Sequence, residues 1–351
     1  MLTKKIPVAI LGATGLVGQR LVHLLAEHPW FEIRALGASD NSVGKKYADV
    51  AKWKLPHPIP ESVRNLVVQS CEPGMDVALV FSALPSDVAG DIEENFAARG
   101  YLVSSNASNH RLDADVPLVI PEVNPDHLDL IRAQRARRQS SGAIVCNPNC
   151  STIHLTLALK PLADAFGLRR VIVTTMQAIS GAGYPGVASL DILDNIIPFI
   201  GGEETKLETE PLKILGTLQN DRVVNAAIKI SAACNRVATW DGHLETVSVE
   251  LIEKPNIDQL RRVMIQFKSE PQALGLPSAP AHPIVVRDEV DRPQPRLDRD
   301  AERGMASVIG RVRPCNVLDY KFVVLGHNTV RGAAGGTVLN AELLVAKKIL
   351  G

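Results

Sequence analysis

Apolar runs of four to eight residues recur through the first 150 positions, at 7–11, 31–36, 77–84, 101–105 and 143–146. Stretches with helical spacing separate them. In 14–28, Leu16, Val17, Leu21, Leu24 and Leu25 fall on one face, and 86–99 and 126–138 also read as helices. Short buried strands alternating with helices predict βα units and a parallel, doubly wound sheet. The second half changes character. A helix is predicted over 151–166, followed by strands at 171–175, 226–233 and 244–251 and a helix over 256–269. Strand patterning returns at 306–312 and 320–325, and a helix over 332–349 closes the chain. This order predicts an α+β domain with a mainly antiparallel sheet. Residues 271–300, rich in Pro, Asp and Arg, read as an extended surface loop. The last helix carries Val338, Leu339, Leu343, Leu344 and Ile349. Such an apolar face needs burial, and the first sheet needs cover on both sides, so the helix is predicted to return there. The expected division is 1–149, 150–327 and 328–351.

Composition narrows the class. At roughly 150 residues per domain, 351 residues suggest two domains. Lys and Arg number 38, as do Asp and Glu, so there is no net charge. No global field exists to hold nucleic acid or an anionic membrane. The arginines at 132, 135, 137 and 138 read as a solvated helix face. No apolar stretch reaches the ~18–20 residues that span a bilayer. Five scattered cysteines without a C-x-x-C pair argue against a disulfide framework and against a metal site. They point to a reducing, cytoplasmic setting.

Gly12-Ala13-Thr14-Gly15-Leu16-Val17-Gly18 lies between the first strand and the first helix. Glycines there allow a tight turn and close approach to a pyrophosphate, and the helix start offers N–H groups to the phosphates. The first domain is therefore expected to be Rossmann-like and to bind a dinucleotide. The second strand runs into Ser39-Asp40-Asn41-Ser42-Val43-Gly44-Lys45. Asp40 suits the ribose hydroxyl of NAD, whereas Ser39, Ser42 and Lys45 suit the extra phosphate of NADP. NADP is preferred on that count, NAD less so.

Asn147-Pro148-Asn149-Cys150-Ser151-Thr152 joins an apolar strand to a helical pattern. A cysteine at a helix start is expected to have a lowered thiol pKa, and the same N–H groups to receive an oxyanion. Cys146, Cys234 and Cys315 read better as inert. A thiol nucleophile calls for an acid/base partner, and histidine is the usual one. Of nine histidines, His243 leads narrowly because it begins a strand after a glycine. His154 reads as a helix-surface residue.

These motifs, with Gln-Ala-Ile-Ser-Gly-Ala-Gly at 177–183, Arg236 seven residues before His243, and a closing His327-Asn328-Thr329-Val330-Arg331-Gly332, resemble aspartate-semialdehyde dehydrogenases of the archaeal and fungal branch. The resemblance covers essentially the whole chain. It implies NADP-dependent reductive dephosphorylation of L-aspartyl-4-phosphate to L-aspartate 4-semialdehyde, a precursor of lysine, methionine and threonine. Cys150 would form a thioacyl intermediate, His243 would be the acid/base and Gln177 would orient the substrate. Arg236 would clamp the substrate carboxylate, Arg111 the phosphoryl group, and Asn149 would touch the substrate. Glu204 would take the ammonium, with Lys206 near the phosphate, although 203–206 also reads as an ordinary charged helix start. Cofactor contacts are implied at Gly12, Thr14, Gly15, Leu16 and Val17, and further at Ser82, Ser180, Gly181 and Asn328, the last beside the nicotinamide. A homodimer or homotetramer is implied. Three other readings stay open: a malonyl-CoA or succinyl-CoA reductase, an N-acetyl-glutamyl-phosphate reductase, and a non-catalytic NADP-binding redox sensor switched at Cys150.

Overall fold

The computed structural model describes residues 4–350. Five parallel strands form the first sheet: β1 (Ile6–Leu11), β2 (Phe31–Gly37), β3 (Leu79–Ser82), β4 (Leu102–Ser105) and β5 (Ala143–Cys146). Their order is β2-β1-β3-β4-β5. β3, β4 and β5 are buried along their whole length, as strands covered on both faces must be. Helices α1 (Leu16–Leu25), α2 (Ser86–Ala98) and α3 (Leu130–Arg138) pack on this sheet. The strand order reverses between β1 and β3, and such a switch point is where open α/β sheets take ligands.

Helix α4 (Cys150–Phe166) leads into the second half, with β6 (Leu168–Gln177), α5 (Glu203–Ile214) and a separate hairpin of β7 (Thr217–Gln219) and β8 (Arg222–Val224). Next come β9 (Lys229–Arg236), β10 (His243–Leu251), α6 (Ile257–Ile265), β11 (Ile284–Val286), β12 (Ser307–Pro314) and β13 (Tyr320–Gly326). The second sheet has the order β11-β12-β13-β10-β6-β9. Three of its pairings are antiparallel, β6–β10, β10–β13 and β12–β13. The edge pairings β6–β9 and β11–β12 are parallel. Leu155, Ala158, Leu159 and Leu162 of α4 close the core against Val171, Val173, Val247, Val249 and Phe322.

Two expectations need correction. Residues 271–300 are not simply a surface loop, because they supply the edge strand β11. They are anchored by Asp298, which is buried and ion-paired with Arg287 and Arg292. Three strand residues among prolines and charges are too few to show a period. His154 is not on the helix surface. It is fully buried, its ring fills the space left by the missing side chain of Gly326, and its Nδ1 bonds the Ser307 hydroxyl at 2.8 Å.

The final helix, α7 (Gly335–Ala346), begins later than the pattern suggests, after a widened π turn at Val330–Ala334. It returns to the first sheet. Val338, Leu339, Leu343 and Leu344 share one core with Val8, Ile10, Leu79 and Phe81. Burial of each such side chain contributes about 1.5–3 kcal/mol. Polar contacts fix the register: Ser104 Oγ donates to Thr337 O at 3.1 Å, and Glu342 pairs with His28 at 2.8 Å.

Candidate functional site

The turn after β1 is built as the glycine spacing requires. Gly12 has φ +74, and a Cβ there would lie 2.6 Å from Ala83 O. A Cβ on Gly18 would lie 2.2 Å from Gly12 O. Gly15 is the N-cap of α1 and has no side chain to cap it, so first-turn N–H groups are left for a ligand. Gly15, Leu16 and Val17 form one end of a cleft of about 600 Å³. The segment after β3, from Ala83 to Ser86, forms the wall beside it. Ser82 itself does not reach the cleft. It is the last residue of β3, its side chain is fully buried, and the residues just after it take the place expected of it. Ser39, Ser42 and Lys45 form a turn beyond β2, closed by Ser42 N–H on Ser39 O and by Lys45 Nζ on Asn41 O, both at 2.8 Å.

At the other end of the cleft stand Arg111, Asn149, Cys150, Gln177, Glu203 and Lys206, with Ser180, Gly181 and Asn328 along the side. Asn328 bridges the walls, accepting from Gly242 N–H and donating to Ser180 Oγ, both at 2.8 Å. Cys150 opens α4 and is half-buried. The Asn149 side chain caps that helix, its Oδ1 accepting from Ser151 N–H at 3.0 Å and Thr152 N–H at 3.2 Å. Those two N–H groups hold the cap, and the Ser151 N–H also bears on the Cys150 sulfur. The thiol is not lowered. Burial pushes Cys150 up to about 12, and Glu203 adds to this, while Arg111, the Ser151 N–H and Arg236 only partly oppose it.

The carboxylate facing the cleft belongs to Glu203 and not to Glu204. Glu203 accepts from Asn149 Nδ2 at 3.0 and 2.8 Å, from Gln177 Nε2 at 3.3 Å and from Lys206 Nζ at 2.8 Å. Burial works against its charge, but Lys206 and these hydrogen bonds outweigh it and hold the carboxyl below its usual range. Glu204, one helical position on, turns away and accepts from Cys234 N–H at 3.1 Å. The spacing of Glu203 and Lys206, three apart on one helix face, was the available signal.

His243 and Arg236 lie under the turn Ile179–Ala182. A Cβ on Gly181 would sit 2.9 Å from Arg236 Nη1 and 3.1 Å from His243 Nε2. Arg236 Nη1 donates to Ala178 O at 2.7 Å. Ala178 N–H donates to His243 Nδ1 at 3.0 Å, so the neutral ring carries its proton on Nε2, which has no partner among the described residues. Burial, with Arg236 and His327 nearby, lowers His243 to about 3. It is a neutral Nε2–H donor at pH 7. Other histidines have structural partners: His28 pairs with Glu342, His110 with Asp113 and His127 with Asn124.

Sequence reading also missed Glu245, two residues after His243 on the same face of β10. It is fully buried, and neither carboxyl oxygen has a hydrogen-bond partner among the described residues. Burial raises it well above the usual range. A raised carboxyl contributes stability below its unfolded value of 4.5 and loses it as pH rises. Glu245→Gln, which cannot ionise, should therefore gain stability over the parent as pH climbs above 4.5. The gain should approach about 1.4 kcal/mol per pH unit. Thermal unfolding at a series of pH values checks this, and a difference that does not grow with pH would mean that Glu245 is ionised in the fold.

Comparison with known proteins places this cleft in a family. Residues 7–131 match the family model described as semialdehyde dehydrogenase, NAD binding domain, and residues 159–331 match its dimerisation domain. Aspartate-semialdehyde dehydrogenase of Methanothermobacter thermautotrophicus is 54% identical over 341 residues, 96% of this chain and 98% of that protein. The Candida albicans enzyme of the same name is 47% identical over 358 residues, 97% of this chain and 98% of that protein. A crystal structure of aspartate semialdehyde dehydrogenase with NADP from Candida albicans superimposes with TM-score 0.92 at 45% identity, covering 99% of this chain and 100% of that one. Aspartate semialdehyde dehydrogenase II of Vibrio cholerae gives TM-score 0.76 at 28% identity over 98% of this chain and 99% of that one. With both family models matched and near-complete coverage by relatives at about half identity, the chain belongs to the aspartate-semialdehyde dehydrogenase family.

Proposed function

We propose that this cleft carries out NADP-dependent reductive dephosphorylation of L-aspartyl-4-phosphate to L-aspartate 4-semialdehyde through a thioester on Cys150. The observation that carries this reading is one cleft holding a cysteine, a guanidinium, an ammonium and a carboxylate at one end and an uncapped glycine turn at the other. The turn has the donor chemistry a dinucleotide pyrophosphate needs, and the Candida albicans relative was crystallised with NADP. Gly15, Leu16 and Val17 would hold the pyrophosphate, Ser180 and Asn328 the nicotinamide end, and Ser39, Ser42 and Lys45 the 2′-phosphate. The reaction lies on the route to lysine, methionine and threonine. The five free cysteines fit a cytoplasmic enzyme, and among the described residues no helix is long and apolar enough to cross a membrane.

Arg111 and Lys206 would receive the phosphoryl group, Arg236 the substrate carboxylate and Glu203 the ammonium. The Cys150 sulfur bonds to the acyl carbon as phosphate departs with the C–O electrons and takes up the thiol proton. NADPH, when bound, supplies the hydride that reduces the thioester carbonyl. His243 meets the charge left on the carbonyl oxygen with its neutral Nε2–H, a pre-set donor in a dry site. The C–S bond then breaks, the aldehyde forms, and sulfur takes up a proton from solvent. Gln177, bonded to Glu203, orients the substrate. The decisive assay is reduction of NADP by aspartate semialdehyde with and without inorganic phosphate. Phosphate dependence supports the reading, and a requirement for coenzyme A in its place would overturn it.

The assembly proposed is a dimer through the second domain. Leu190, Leu193, Ile196 and Phe199 are 92%, 63%, 60% and 68% exposed. Their segment joins the edge strand β9 through the Ile197–Arg236 bridge. An apolar row of this kind asks for a partner surface. Leu190→Asp with Phe199→Asp should shift sedimentation to the monomer, and an unchanged sedimentation coefficient would remove this face from the interface.

The same reading divides the chain at 1–149, 150–327 and 328–351, with the last piece completing the nucleotide domain.

A further inference from the structure

Helix α5 carries Glu203, Lys206, Glu210 and Lys213, spaced three, four and three apart, which puts all four on one face. The first two line the cleft. The other two face the parts that hold it together. Glu210 is 2% exposed, and its carboxylate is shared. One oxygen accepts from Arg111 Nη1 at 2.9 Å and the other from Asn149 N–H at 2.7 Å. Asn149 is the cap of α4 and the residue before Cys150. Lys213 donates to the carbonyls of Arg111, Asp113 and Val116 at 2.8, 2.7 and 2.7 Å. Arg111 is thus gripped at its side chain by Glu210 and at its main chain by Lys213. Its Nη2 donates to Asn106 O at 2.8 Å. Its Nε is buried and has no partner among the described residues, so one donor of the fork still calls for an acceptor.

We propose that Glu210 is a positioning residue that sets the Arg111 guanidinium and the Cys150 backbone in one register, so that the phosphoryl group is seated where sulfur can displace it. The proposal rests on the reading of Arg111 as the phosphoryl site. Its sign separates it from simple electrostatics. A carboxylate beside an anion site repels the anion, so removing its charge should tighten phosphate if charge were all that mattered. Positioning requires the reverse. Glutamine at 210 keeps the size but sets an NH₂ against either Arg111 or the Asn149 N–H, both of which are donors. One of the two bonds must break.

The test uses the full-length enzyme in the oxidative direction, with NADP, aspartate semialdehyde and inorganic phosphate. Glu210→Gln should raise the KM for phosphate about tenfold or more, with little change in the KM for the semialdehyde or in the NADP Kd. A residue that only stabilises the fold would shift all three together. Arg111→Ala is the reference. If it leaves the phosphate KM unchanged, the phosphoryl reading fails and this proposal with it. If Arg111→Ala raises that KM while Glu210→Gln leaves it unchanged or lowers it, the reading stands and the positioning role is overturned. Should Glu210→Gln not fold, Glu210→Asp answers the same question. It keeps the charge but is too short for both partners, and an unchanged phosphate KM there overturns the proposal.

Discussion

Cys150→Ala should reduce turnover on the order of 10⁴-fold or more while leaving the NADP Kd unchanged. On the proposed reading the thiol forms the covalent bond, whereas the dinucleotide would lie on the turn after β1 at the far end of the cleft. Cys146→Ala is the matched control. That side chain is fully buried on β5, and its thiol is pushed up by burial. It has packing to lose but no chemistry. Initial rates with phosphate, together with a fluorescence titration of NADPH, separate the two variants. Substantial activity in Cys150→Ala, or an equal loss in a folded Cys146→Ala, would show that the sulfur at 150 is not the nucleophile.

Arg236→Lys should behave as a severe change although it keeps the charge. Arg236 is 6% exposed, and Nη1 is already committed to Ala178 O at 2.7 Å. The remaining edge of the fork is what a substrate carboxylate would meet. Lysine offers one ammonium and cannot serve the backbone carbonyl and a bidentate carboxylate together. Losing a charge-assisted pair costs about 1.5–3 kcal/mol, so kcat/KM should drop roughly 10- to 150-fold. The variant should also disturb His243, because Ala178 offers its carbonyl to Arg236 and its N–H to the imidazole. An unchanged kcat/KM would remove Arg236 from the substrate site.

What the sequence made readable follows from how local each requirement is. Gly18 answers to a backbone that folds onto Gly12 within seven residues, and Gly12 to the positive φ of that turn, so their spacing announces the turn. Cys150 is marked by neighbours in the chain, above all the capping Asn149. A one-residue step defeats the same reasoning at Glu203 and Glu204. Each residue turns a helix by 100°, which sends one carboxylate into the cleft and the other to Cys234 N–H. Ser82 fails for a related reason, since the strand keeps its last side chain inside and the next residues take the cleft. The ionisation state of Cys150 was beyond reach. It depends on burial and on Glu203, more than 50 positions away, set against Arg111, the Ser151 N–H and Arg236. Glu210 reaches Arg111 across 99 positions, a contact that no local pattern announces.

The return of α7 to the first sheet has a consequence for the chain as it is being made. Ser104 waits for Thr337, His28 for Glu342, and the core around Val8 and Phe81 for Leu339 and Leu343. A nascent chain carrying everything through β13 still lacks one helix of the core that α1 and α3 also line. That domain cannot complete itself in the order of synthesis, although N-terminal units of multidomain proteins commonly do. Part of its apolar sheet face stays open until α7 has been made. A chain stopped before α7 should therefore carry an incompletely packed first domain, exposed there to chaperones and proteases.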